Sequence, residues 1–528
     1  MWPRIYLEDL RIVCHYLGKL LLVVALAMCL PMIVGLIAQD YAISINYLIG
    51  IAITVASAII LCLVKVSPSI LRRKQAVIIT AIAWFACSLF AAIPLFLSGH
   101  FDSFFDSYFE AVSGFTTTGF TMLRDIEHLS MADNVWRFIL QYIGGQGVLV
   151  IALSFGAFAK GGGSASLYDA EGRHDHVLPD IKQTASFIWR FSIVVVAIGS
   201  IILTVVLLIK GMHVPDAIFN GVCMTIGTYD TGGFCTTSLG ILYYHCWPLE
   251  FITMFIMVLG AINFSLYNRM RRGHVTEFFK NIEVRTFAIW ILIVTVFLMI
   301  VVCLGSQMND IDTLLRKMLF TVISATTNTG FQVITANQLT NVVGSGVFFM
   351  IAISMTIGGM SESTSGGIKM LRLGIVFKTV AMRIKQVLAP ESANMVASYT
   401  STSGGRRIVS QEVASTALVI VFLYFASYII GAVIGLACGY DAVSAIFESI
   451  SATSNAGFTS GVVGAGMPFV LKVTYLLQMI LGRLEFITVL ALIISIIVTV
   501  APRRKHKRDH RREFKREQKR SKKVNANG

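Results

Sequence analysis

Charge is scarce in this chain of 528 residues: 14% are Asp, Glu, Lys or Arg, against 55% apolar residues, and the mean hydropathy is +0.74. A soluble domain carries about 25% charged residues. A solvated globular fold is therefore excluded, and the composition is that of an all-α polytopic membrane protein. Catalytic signatures are missing as well. The chain has no HExxH and no nucleophile elbow, so an enzyme is not expected. It has no P-loop or dinucleotide fingerprint, so no organic cofactor is expected, and any nucleotide control must come from a separate subunit. The nine cysteines, among them Cys14, Cys62, Cys87, Cys223 and Cys303, are scattered and form no CxxC pair. They read as small apolar core residues, not as disulfide partners or metal ligands.

What the chain does have is a polar stretch that recurs. Ser324-Ala-Thr-Thr-Asn-Thr-Gly330-Phe331 is a run of small and hydroxyl residues in apolar surroundings. Its other copies are Ser113-Gly-Phe-Thr-Thr-Thr-Gly119-Phe120, Gly227-Thr-Tyr-Asp-Thr-Gly-Gly233-Phe234 and Ser451-Ala-Thr-Ser-Asn-Ala-Gly457-Phe458. In each, a Ser or Gly stands six residues before the Gly of Gly-Phe, and the residue after Gly-Phe is Thr121, Cys235, Gln332 or Thr459. Copies about a hundred residues apart mark an array of similar units. Glycine opens backbone conformations closed to other residues, so such a run can hold an extended strand with inward carbonyls. Four strands about one axis would stack oxygen rings able to replace the water shell of a potassium ion. Irregular backbone at membrane depth is tolerated only where protein encloses it or a wet cavity adjoins it. The competing reading is four small-residue helix-packing patches. The expected filter residues are Thr116, Thr117, Thr118 and Gly119; Asp230, Thr231, Gly232 and Gly233; Thr327, Asn328, Thr329 and Gly330; and Ser454, Asn455, Ala456 and Gly457.

Two apolar spans, about Val13 to Ala38 and Ile43 to Val64, are expected to cross the membrane as an N-terminal extension of residues 1–72. Then a unit repeats: helix, short descending helix, filter, helix. Unit one (73–160) has spans at about Ala76 to Leu97 and Trp136 to Phe158. Unit two (183–270) has Ser186 to Ile209 and Pro248 to Leu266. Unit three (283–388) has Val284 to Leu304 and a span beginning near Gly346; unit four (410–501) has Glu412 to Ala437 and Val470 to Val500. The ten to twelve residues before each filter fall short of the ~20 a crossing helix needs, so each is expected to be re-entrant. Asp102, Asp216, Asp312 and Asp441 stand where helix N-caps belong. The C-terminal end of each such helix would then face the axis and favour a cation. Basic loops at Lys65 to Lys74, Lys160 to Lys182, Arg269 to Arg285 and Lys369 to Arg407 alternate with nearly uncharged ones. That pattern predicts ten crossings with both termini cytoplasmic.

Residues 358–367 interrupt the second helix of unit three with four glycines and several serines. A lipid-facing helix cannot be made of them. Buried below the filter, they would form an irregular loop that blocks the pore; otherwise they are a cytoplasmic turn. The gate set is Gly358, Gly359, Ser363, Thr364, Gly366, Gly367 and Lys369, with Arg483 from the last span. An ionisable residue within a span is costly and usually functional.

Over residues 70 to 500 the chain resembles the TrkH/KtrB family of potassium-uptake proteins, relatives of the Trk and HKT transporters. The four filter-like copies carry the resemblance. Gly144-Gly-Gln-Gly147, Gly260-Ala-Ile-Asn-Phe264, Gly358-Gly-Met-Ser-Glu-Ser-Thr-Ser-Gly-Gly-Ile-Lys369 and Gly482-Arg-Leu-Glu485 support it. The two leading helices are similar to the TrkH and TrkG branch. The resemblance implies potassium as transported ion, an intramembrane gate at the unit-three loop, and a bacterial inner-membrane location. It also implies a homodimer and a cytosolic nucleotide-binding regulatory subunit. Glycine at Gly119, Gly233, Gly330 and Gly457 resembles the potassium-selective pattern. Arg483 is implied to stand in the pore under the filter as a positive barrier; pairing with Glu485, Glu448 or Glu110 is the other reading. Met360-Ser-Glu362 and Tyr229-Asp230 depart from the pattern. Asp230 either adds negative charge at the outer mouth or hydrogen-bonds locally.

The tail from Arg503 to Lys523 holds thirteen Lys/Arg against Asp509, Glu513 and Glu517, a net +10 of the chain's +14. Directly after a span, anionic lipid is the expected partner and nucleic acid is not. The alternatives to selective potassium uptake are a sodium- and potassium-permeable relative, and a secondary transporter of another small solute built on broken helices.

Overall fold

The computed structural model describes the chain outside residues 1–3, 67–71, 148–149, 151–180, 306–310, 335–344, 391–394, 401–404 and 501–528. The basic tail and most of the basic loop 160–182 lie outside the described residues. An N-terminal helical hairpin comes first, α1 (Leu7–Ile37) and α2 (Tyr41–Cys62). Small residues let its helices close on their neighbours: a Cβ at Gly18 would lie 2.7 Å from Cys62 Sγ, and one at Gly50 3.2 Å from Pro94 Cδ. The hairpin is tied to unit one by Tyr47, whose hydroxyl donates to Asp133 at 2.7 Å.

Unit one consists of α3 (Arg73–Leu97), the short α4 (Phe104–Phe115) and α5 (Met131–Gln146). Unit two has α6 (Ile181–Ile209), the short α7 (Val214–Tyr229), α8 (Trp247–Gly260) and α9 (Phe264–Arg271), followed by α10 (Val275–Lys280). Unit three has α11 (Ile282–Gly305), the short α12 (Ile311–Thr326), α13 (Ser345–Thr356) and α14 (Met370–Leu388). A two-stranded antiparallel hairpin, β1 (Ser398–Thr400) with β2 (Arg406–Ile408), precedes unit four. That unit has α15 (Gln411–Ala437), the short α16 (Ala442–Ser454), α17 (Phe469–Arg483) and α18 (Ile487–Val500).

In every unit the first long helix packs on its own short helix: α3 on α4, α6 on α7, α11 on α12, α15 on α16. The second helix packs on the short helix of the next unit: α5 on α7, α8 on α12, α13 on α16, and α17 back on α4. The last contact closes a ring of four units.

Two expectations need correction. First, only one of the four aspartates is seen as an N-cap. Asp441 accepts from the backbone N–H of Ser444 at 2.9 Å. Ser103, not Asp102, caps α4 by accepting from Asp106 N–H; the exposed Asp102 pairs instead with Arg124 at 2.6 Å. At α7 the cap position is His213, with Pro215 and Asp216 inside the first turn, where a carboxylate still suits the positive helix end. Asp312 also lies inside the first turn of its helix, α12. Second, the closing spans of units two and four are not continuous. The pair α8 and α9 is bent by 94°, and α17 and α18 by 114°. Six described helices are long and apolar enough to cross a membrane, or eight if each bent pair is one span. The second helices of units one and three, α5 and α13, are 16 and 12 residues long before they break or meet undescribed chain.

Candidate functional site

Each short helix ends in the same turn. The N–H of Thr118, Gly232, Thr329 and Ala456 donates to the carbonyl of Ser113, Gly227, Ser324 and Ser451, at 2.9 Å in all four. The recurrent Ser or Gly of the repeat is thus the acceptor of a wide closing turn. The turn carries Thr117, Thr231, Asn328 and Asn455 into left-handed backbone, at φ 53°, 50°, 54° and 54°. That region is costly for β-branched threonine and persists only where surroundings enforce it. The glycines follow at φ 89°, 70°, 86° and 74°.

Those glycines form a closed circle. A Cβ on Gly119 would fall 2.4 Å from the carbonyl oxygen of Gly232, and one on Gly233 2.1 Å from that of Thr329. One on Gly330 would fall 2.3 Å from that of Ala456, and one on Gly457 2.0 Å from that of Thr118. Each glycine therefore abuts a carbonyl of the next unit, and the fourth returns to the first. In each copy the glycine is partly exposed while the residues on both sides of it are buried, so the circle faces an opening. The expected backbone residues are thus brought together, oxygens included. Patches on separate helices are ruled out by this placement. Side chains of the set divide. Thr116 and Thr327 hydroxyls bond Thr118 and Thr329 hydroxyls, each at 2.8 Å, behind the turn. Asn455 reaches from unit four to Thr118 Oγ1 at 2.9 Å. Gln141 donates to the Gly232 carbonyl at 2.5 Å, a contact that spacing could not have revealed.

The breaks in the second helices lie against this ring. A Cβ on Gly144, Gly260 or Gly482 would sit 1.8, 2.0 or 1.8 Å from the carbonyl of Phe115, Tyr229 or Thr453, four residues before each ring glycine. Only glycine allows that approach. In unit three a Cβ on the equivalent Gly358 would sit 1.8 Å from the Gly366 carbonyl.

Residues 357–370 pack against the ring, all buried except the partly exposed Ser361. Ile357 and Ile368 form a parallel bridge. Thr364 Oγ1 donates to the carbonyls of Tyr229 and Gly260, at 3.0 Å each, and its own N–H reaches the Gly260 carbonyl at 3.3 Å. Ser365 donates to Asn328 Oδ1 at 3.1 Å, and the Lys369 ammonium caps the Ser365 carbonyl. A Cβ on Gly366 would meet the Ser454 carbonyl at 2.3 Å. The segment thus touches the recurrent turns of units two, three and four. A solvated turn is excluded.

Arg483 ends α17 at the 114° bend. Its guanidinium donates to the carbonyls of Thr364 (2.5 Å), Gly144 (2.6 Å) and Gly145 (3.2 Å). It thereby bridges unit four, the 357–370 segment and unit one. With Lys369, Glu362 and Glu485 it lines a cavity of about 40 Å³. Of the carboxylates that could pair with it, Glu110 holds Arg137 at 2.8 Å, Arg372 holds Glu485, and Glu448 takes Thr459 and Ser460. Asp230 is not at an outer mouth. It is fully buried beside the break in α5, accepting from Gln146 Nε2 at 2.8 Å. Of its two readings the local hydrogen bond holds.

Comparison with known proteins agrees with this architecture. The family model described as TrkH, cation transport protein, matches residues 44–499. An uncharacterized cation transporter of Methanocaldococcus jannaschii is 30% identical over 492 residues, covering 93% of this chain and 96% of that protein. The Trk system potassium uptake protein TrkG of Escherichia coli is 29% identical, covering 92% of this chain and 98% of its own. The Halomonas elongata protein of that system, TrkH, is 28% identical, with 92% and 98% covered. The crystal structure of the potassium transporter TrkH from Vibrio parahaemolyticus shares the fold, with TM-score 0.78, 21% identity, and 92% and 98% covered. A match over most of the sequence and a fourfold ring inside a membrane-helix scaffold lead to one assignment: this chain is a member of the TrkH family of cation transport proteins, a transporter and not an enzyme.

Proposed function

We propose that the chain takes up potassium through the axis of the four units. The closed circle of ring glycines against the carbonyls of Thr118, Gly232, Thr329 and Ala456 carries this reading. Main-chain oxygens so placed offer a dehydrated cation a substitute for its water. The names of the relatives, potassium uptake proteins of a Trk system, point to the same ion. The plug of residues 357–370 is the gate, and Arg483, bonded to three carbonyls around it, is the positive barrier beneath the filter. The protein sits in the bacterial inner membrane with both termini cytoplasmic. The ring then opens outward. It works as a homodimer with a cytosolic nucleotide-binding subunit, and its basic tail meets anionic lipid.

Expression in a host lacking its own potassium uptake tests the reading. Growth at limiting potassium, with uptake of radioactive rubidium that excess sodium does not suppress, is the expected result. Equal sodium uptake would assign the permissive variant of the family. Absence of alkali-cation flux from a membrane-inserted protein would overturn the proposal.

A further inference from the structure

Two short helices carry a carboxylate at one register, nine residues before the ring glycine: Glu110 and Glu448. Both are fully buried. Both reach forward past the ring to the same two positions. Glu110 accepts from Thr121 Oγ1 at 3.1 Å and from Met122 N–H at 2.8 Å. Glu448 accepts from Thr459 Oγ1 and Ser460 N–H at 2.7 Å each, and from Ser460 Oγ at 2.9 Å. Units two and three hold Met224 and Thr321 at that register, and Cys235 and Gln332 where the clamped threonines stand. Glutamate and threonine therefore occur together or not at all within one chain.

The unclamped units are held from a neighbour instead. Arg137, whose Nε pairs with Glu110 at 2.8 Å, donates to the Cys235 carbonyl at 3.2 Å and lies 4.1 Å from the Phe234 ring centre. Gln332 donates to the Thr459 carbonyl at 3.1 Å. Each clamp thus serves two units: Glu110 fixes unit one and, through Arg137, unit two, while Glu448 fixes unit four, on which unit three leans. A buried carboxylate is expensive unless its oxygens are hydrogen-bonded. Fixing the chain just beyond the glycine is what these two achieve.

We infer that Glu110 and Glu448 are positioning residues that hold the rim of the filter and set how sharply it separates potassium from sodium. They touch no ion; they fix the backbone whose oxygens would. The inference rests on the proposed filter. It carries an asymmetry that a general charge effect lacks. The bonds from Thr459 and Ser460 to Glu448 all end on Oε1, whereas Glu110 uses Oε1 for Thr121 and Arg137 and Oε2 for Met122. Glutamine keeps one acceptor oxygen, so it suffices at Glu448 and fails at Glu110.

The experiment measures rubidium and sodium uptake by the full chain in liposomes and takes their ratio, with Gly119→Ser as a filter control. Glu448→Leu and Glu110→Gln are expected to lower the ratio about tenfold, the effect of losing a charge-assisted hydrogen bond. Glu448→Gln is expected to keep the ratio within about twofold, since a neutral acceptor replaces a charged one. If Glu448→Leu does not reach the membrane, Thr459→Val must lower the ratio and Thr459→Ser restore it. A Glu448→Gln ratio as low as that of Glu448→Leu would show charge, not the clamp, at work and overturn the inference. So would an unchanged ratio in Glu448→Leu or Thr459→Val while Gly119→Ser lowers it. An unchanged ratio in Gly119→Ser would instead sink the filter itself.

Discussion

Replacing Gly119 by serine adds a Cβ where the circle has no room. That atom would sit 2.4 Å from the carbonyl oxygen of Gly232, against about 3.3 Å for a close carbon–oxygen contact. The oxygen must retreat by roughly 1 Å, or the Gly119 backbone must leave its φ of 89°; holding a side chain in such backbone costs about 1–3 kcal/mol. Either way one quarter of an oxygen ring is displaced. If all of that energy is lost from the potassium complex and not from the sodium complex, discrimination falls by about five- to 150-fold. Paired isotope uptake in liposomes measures this as the ratio of initial rates. Gly99→Ala is the control: Gly99 has φ 79° but nothing within 4 Å of its Cβ site. It shares the strain and lacks the collision, so its ratio should match the wild type. An unchanged ratio in Gly119→Ser, with normal membrane abundance, would refute the assignment of the glycine circle as the selective element.

Three further outcomes follow from the same geometry. Arg483→Ala removes the charge beneath the ring and three bonds to Thr364, Gly144 and Gly145; uptake should rise several-fold, by about 1 kcal/mol of barrier or more, and an unchanged or lower rate in a folded protein counts against the barrier. Thr364→Val deletes the hydroxyl bonds to Tyr229 and Gly260, worth about 0.5–1.5 kcal/mol each, so basal uptake should increase while the potassium to sodium ratio stays constant. Asp441→Ala removes the cap of α16 and should lower stability by about 1 kcal/mol in a detergent melt, leaving the ion ratio intact.

How far the sequence could be read differs between elements for physical reasons. The ring was legible because glycine is forced at Gly119, Gly233, Gly330 and Gly457 by contact with a neighbouring backbone, and forced residues repeat. The caps were less legible, since Ser103 and Asp102 are both good caps and adjacent candidates cannot be ranked by type. The bend between α8 and α9 had a signal: Asn263, within an apolar run, caps α9 by accepting from Ser265 N–H at 2.7 Å. The bend after Arg483 had almost none, because Glu485 and Phe486 take φ of 54° and 64° without a glycine. Only tertiary context holds them there. The glutamate clamps and the Gln141 contact were hidden, since their partners become neighbours only when the units close.

The departures from fourfold symmetry are as informative as the repeat. Arg483 follows the glycine Gly482; the residues that follow Gly144, Gly260 and Gly358 are Gly145, Ala261 and Gly359. One unit thus supplies a guanidinium and three supply the smallest side chains. Four arginines at this level, some 8 Å apart, would repel by about 2 kcal/mol for each pair, and no cation would pass them. A single arginine needs space and acceptors instead, and two of its acceptors are the carbonyls of Gly144 and Gly145 in unit one. A symmetric assembly of identical chains cannot place one charge on its axis. Joining four units in one chain allows it: backbone geometry at the ring stays fourfold, while the side chains beneath are free to differ. On the proposed reading, selection belongs to the repeated part and control of flux to the unrepeated part. That division is why the Gly119 and Thr364 variants are expected to move different observables.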